Sequence, residues 1–187
     1  MTRGTIAAVA LLLVLRAAAF AADPPGSWID IPFVQQGKNG CGPASIAMVM
    51  QYWRSQPGGS ARPLHDVAEI VRALQPDQKL GVRALEMERY FVQNGYRAFA
   101  FAGTWADLER ELGKGRPVIA ALKPDQGNSL HYVVVAGVDN NERVVLLNDP
   151  AQRKLLKEDR KQFEQEWKVT EFWTLLAVPE AASTAAH

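Results

Sequence analysis

Cysteine is nearly absent from this chain of 187 residues, which contains one, Cys41. A lone thiol excludes an internal disulfide framework. Histidine is scarce too, with three scattered copies at His65, His131 and His187, and this set lacks the ligand spacing of a zinc site, so no metal and no cofactor is expected. There is no surplus of one charge either, with 21 Lys and Arg against 20 Asp and Glu. That balance gives no basic face for nucleic acid or anionic lipid, and neither partner is expected. No phosphate-binding loop of the GxxxxGK[ST] kind occurs. The longest early apolar run, residues 6–15, is about half of the roughly 20 residues needed to span a bilayer, and Arg16 ends it.

What is present describes an exported globular domain. Apolar residues make up 48% and charged residues 22% of the chain, ordinary values for one folded core. Arg3, the apolar run and the small residues of "AFA" at 19–21 together read as a cleavable secretory signal over residues 1–21. The expected layout is then a domain over 22–179 and a flexible tail over 180–187, secreted or periplasmic. Retention by an uncleaved leader is the lesser alternative. No cysteine follows the apolar run, so no lipoprotein anchor can form there. Loss of the leader removes Arg3 and Arg16 and no acid, leaving a net charge near −1. In an oxidising compartment the thiol is buried and inert, paired with another chain, or reactive.

The periodicity predicts helices first and strands second. After a lead-in, "DPPGSW", and a short extended segment, "IDIPFV", the turn "GKNGCG" opens a helix at Gly42 or Pro43, with Ile46, Val49, Met50 and Trp53 on one face. Further helices are predicted over 63–74 and 81–95. A strand over 96–101, a helix over 104–112 capped by Thr104, and a strand over 116–122 follow. Residues 131–138 and 143–148 read as a hairpin joined by "DNNE". A charged helix over 154–167 and a strand over 171–178 complete an α+β arrangement with a mostly antiparallel sheet.

Cys41 stands where a helix N-terminus lowers a thiol's pKa, with Gly40 and Gly42 beside it to let a substrate backbone approach. A small buried residue at a turn is the plainer reading. A thiolate nucleophile needs a basic partner held by a third group. His65 opens a surface helix and His187 lies on the tail, so His131, at the head of the strongest strand, is the candidate. Pairing Asp139 with Glu142 across the hairpin puts His131 opposite Pro150, next to Asp149, within reach of a shared hydrogen bond. Gln35 and Gln36, six and five residues before Cys41, could each supply a side-chain donor for an oxyanion, together with the Cys41 backbone N–H.

The segments "PFVQQGKNGCGPASIAM" and "HYVVVAGVDNNERVVLLNDP" resemble the papain-like cysteine peptidases related to the bacteriocin-processing, double-glycine leader peptidases. The likeness runs from about Trp28 to Val178 and includes Phe163 and Trp167 ahead of a closing strand. It implies a papain-like fold with the nucleophile helix packed on the sheet, and a peptide or protein substrate. It implies Cys41 as nucleophile, His131 as base and acid, Asp149 as the group orienting His131, and Gln35 as oxyanion donor with Gln36 as fallback. The leader peptidases are usually fused to an export transporter; a free-standing exported domain is expected to meet other peptides. Transglutaminase-like or amidase acyl transfer with the same groups, and a silent peptide-binding module, are the competing expectations.

Overall fold

The computed structural model describes residues 26–57, 66–77, 80–124 and 130–180. Residues 1–25, 58–65, 78–79, 125–129 and 181–187, and with them the expected signal, the expected tail, His65 and His187, lie outside the described residues. Its elements are β1 (Gly26–Trp28), α1 (Cys41–Ser55), α2 (Val67–Leu74), α3 (Ala84–Gln93), β2 (Tyr96–Ala102), α4 (Trp105–Gly113), β3 (Val118–Leu122), β4 (His131–Asp139), β5 (Val144–Asn148), β6 (Leu156–Asp159), α5 (Arg160–Lys168) and β7 (Trp173–Pro179). The strands form one antiparallel sheet in the order β2-β7-β3-β4-β5-β6. β1 pairs with β4 over Gly137–Asp139, the stretch beyond the last pair with β3 at Val135.

Both faces of this sheet are covered. On one face Tyr132, Val134, Ile119 and Leu175 pack with Ile46 and Met48 of α1, Ile70 of α2, and Met87 and Phe91 of α3. On the other, Val133, Val135, Val118 and Leu176 pack with Leu108 of α4 and with Phe163 and Trp167 of α5. That is why β3 and β4 read as unbroken apolar runs rather than as alternating ones. The same geometry explains α1, which is buried from Gly42 to Met50 instead of along one stripe, because the sheet lies against one side and α2 and α3 against the other.

Three sequence expectations change. The extended segment "IDIPFV" forms no strand; β1 lies just before it, and Ile29 continues the contact through its N–H to Ala136 O at 2.8 Å. The charged stretch 154–167 divides: Leu156–Asp159 pairs with β5, and only from Arg160 does it turn helical. Asp159 makes the break by accepting from the N–H groups of Lys161 and Gln162, so a strong N-cap overrides a helical pattern upstream of it. The helix expected over 63–74 has described turns only from Val67, where Asp66 and Glu69 form a capping box.

Candidate active site

Cys41 is the first residue of α1, at the edge where that helix meets the head of β4. Asn39, at φ 54°, and Gly40 make the turn into the helix, and Ala44 N–H returns to Gly40 O at 2.9 Å. The glycines serve the chain's own packing. A Cβ on Gly42 would sit 3.3 Å from Val82 Cβ and 3.4 Å from Met87 Sδ, and one on Gly40 would sit 3.2 Å from Gly37 O. They therefore also seat the helix start and its turn against neighbouring groups.

Opposite, β4 begins with His131. The β4–β5 connection is longer than the sequence suggested: Asp139 pairs with Val144, not Glu142, and a bulge between Val135 and Gly137 takes back part of the shift. The bulge takes back one of the two residues, and with a net shift of one the open end of the hairpin still brings the acid to the imidazole. His131 Nε2 lies 2.7 Å from Asp149 Oδ1. The imidazole also hydrogen-bonds the Cys41 thiol, for which Nδ1 is the ring nitrogen left.

Asp149 is buried at 4% exposure and fully engaged. Oδ1 also accepts from Ala151 N–H at 2.8 Å, and Oδ2 accepts from Gln152 Nε2 at 2.7 Å. The neighbouring Asn148 ties the loop down, donating to Ile31 O at 3.1 Å and accepting from Leu155 N–H at 3.0 Å. Gln152 is a site residue that the sequence did not reveal, since an amide three residues past an acid in a turn carries no distinguishing pattern.

The electrostatics of the three groups are mutually reinforcing. Burial pushes the Cys41 thiol up, yet the hydrogen bond and charge of His131 and bonds from the backbone of Tyr132 and Gly42 bring it below its ordinary value. Burial disfavours the imidazolium, but Asp149 and then Cys41 outweigh it and raise His131 to about 9. Asp149 is held below the usual carboxylate range, its burial offset by His131, Ala151 and Gln152. Such a set can hold a thiolate beside an imidazolium.

The two glutamines part company. Gln35 is exposed on the loop leading to α1, whereas Gln36 is half-buried, with Oε1 enclosed and unpartnered among the described residues. Gln36 N–H donates to Pro150 O at 2.9 Å, pinning this loop to the turn that carries Asp149. Glu158 on β6 is a half-buried carboxyl near the site, its Oε1 enclosed and without a partner among the described residues, and burial with nearby Glu166, Asp149 and Asp159 raises it to about 7. Among the described residues no group of three or more His, Cys, Asp or Glu could hold a metal ion, and no helix is long and apolar enough to cross a membrane.

Comparison with known proteins agrees with this architecture. A protein of Bacillus anthracis described as a C39-like peptidase superposes with a TM-score of 0.62 at 18% identity, covering 83% of this chain and 98% of its own. A double glycine motif protease from an AMS/PCAT transporter, solved in complex with the leader peptide, gives 0.61 at 19% identity over 82% of this chain and 95% of that one. The peptidase domain of Streptococcus ComA, a bifunctional ABC transporter, gives 0.61 at 20% identity over 79% and 97%. No curated protein matches the sequence. The fold is that of the papain-like C39 peptidases. The family model for the Peptidase_C39 like family matches residues 28–174, and with most of its length so matched the chain belongs to that family.

Proposed function

We propose that the protein is an exported cysteine peptidase that hydrolyses peptide bonds through Cys41, His131 and Asp149. The observation that carries this reading is one imidazole bonded on one side to a buried carboxylate at 2.7 Å and on the other to the chain's single thiol. The Cys41 thiolate attacks the substrate carbonyl carbon, and Gln35 with the Cys41 backbone N–H faces the oxyanion. His131 gives its Nδ1 proton to the departing amine, leaving a thioester on Cys41. Water, giving a proton back to His131, then releases the acid and restores the thiol pair. Asp149 keeps Nε2 occupied throughout, so Nδ1 is always the nitrogen presented to the sulfur. The peptide ligand of the transporter-linked relative supports a peptide as the class of substrate.

The test is the rate of Cys41 alkylation by iodoacetamide against pH, together with cleavage of a peptide library. The thiol is expected to titrate below its ordinary value, to lose that shift in His131→Ala, and to take all peptide cleavage with it in Cys41→Ala. A thiol titrating at 8.5 or above, indifferent to His131→Ala, ends this reading. Library cleavage run with an added amine acceptor separates hydrolysis from acyl transfer. Residues 1–21 act as the leader in this proposal, and N-terminal sequencing of exported protein checks that point.

A further inference from the structure

A recess of about 320 Å³ opens beside the site, within the size range of ligand pockets. Leu130 and Tyr132, the residues on either side of His131, form one wall. Ala84 from the start of α3, Val169 and Trp173 close it, and among the described residues lining it Glu171 is the one that is charged. The Tyr132 and Trp173 rings meet edge to face at 5.5 Å and set its depth.

Its outer wall is built from a conformation that costs energy to hold. Glu171 and Phe172 are consecutive non-glycine residues in the left-handed region, at φ 55° and 57°. They are fixed there by Glu171 N–H to Lys168 O at 3.0 Å and Phe172 N–H to Trp167 O at 3.0 Å, while Thr170 Oγ1 donates to Ala121 O at 2.7 Å. This tight turn leaves Val169 57% exposed, facing Leu130 at 46% across the mouth. Two apolar side chains are thus available to an apolar group entering the recess. None of the described lining residues is a cation that would hold a carboxylate.

We propose that this recess is the subsite by which the enzyme reads its substrate, and that it takes a bulky apolar side chain such as Leu, Met or Phe. The inference rests on the peptidase reading above, since it places the substrate chain across His131.

Peptidyl chloromethyl ketones test it without requiring turnover. Each matched pair carries Leu or Gly, at successive positions from the reactive carbon, and Cys41 labelling is followed by mass spectrometry. The Leu compound is expected to label at least tenfold faster than its Gly twin at one position. Ala84→Phe, which fills the recess, should abolish that difference while leaving iodoacetamide alkylation of Cys41 unchanged. Equal rates for every pair, a preference for Gly, or a preference for Leu that survives both Ala84→Phe and Leu130→Asp would overturn the subsite. If iodoacetamide labels Cys41 and no peptidyl compound does, the peptidase reading falls and the subsite falls with it.

Discussion

Sulfur, imidazole and carboxylate at this site each alter the others, and the consequences of single substitutions follow from that coupling. His131 is raised to about 9, so activity should hold across neutral pH and decline on the alkaline side as the imidazolium loses its proton near that value. The two glutamines separate by readout. Gln35→Ala should lower kcat on the order of 10²-fold, as loss of an oxyanion donor does, with little change in melting. Gln36→Ala, which keeps the backbone bond to Pro150 O and removes an enclosed oxygen without a partner among the described residues, should change both the melting temperature and kcat little. Glu158 makes a prediction of opposite sign. Its folded pKa of about 7 lies above the ordinary glutamate value of 4.5, so ionising it costs stability, a cost absent below pH 4.5 and complete above about pH 7. Thermal melting of Glu158→Gln should therefore exceed wild type at pH 8 and match it at pH 4. Cys41, His131 and Asp149 were legible because scarcity singled out the first two and strand counting led to the third. Glu158 was not, since nothing local distinguishes a carboxyl on a short strand from the other acids of "KEDRKQFEQEW" until β5 and α5 close over it.

Elements were legible where one local rule acted alone. Thr104 caps α4 as expected, accepting from Asp107 N–H, and β3 and β4 fell within two residues of their predicted starts. The misreadings came where a cap competed with a pattern. Lys and Glu over 154–160 suit a helix intrinsically, yet β5 offers a free edge, and the four residues Leu156–Asp159 take it. Asp159 then has two duties, closing the strand and opening α5 through two backbone N–H bonds. Asp159→Ala should cost about 1 kcal/mol in urea unfolding while peptide cleavage stays as in wild type, because α5 packs on the face of the sheet away from α1. The hairpin register illustrates the limit of counting: the turn length and the bulge were each invisible, and the correct neighbourhood emerged because their errors opposed one another.

For the molecule as a whole, the α+β class and the antiparallel sheet could be read from the order of patterns, but the strand order could not. β7 enters between β2 and β3, and β1 shares β4 with β3, pairings set by which apolar faces find each other across long separations. The chemistry as read needs only groups the chain itself carries, so exhaustive dialysis against EDTA should leave both the alkylation rate of Cys41 and peptide cleavage unchanged. The sheet also divides the molecule, with the thiol, α1, α2 and α3 on one side and α4 and α5 on the other. Lys161, exposed on α5, thus stands on the reverse of the molecule from the reacting sulfur. A bead or electrode coupled through that amine would hold the protein with Cys41 turned outward, so immobilised material should keep the proposed peptide cleavage.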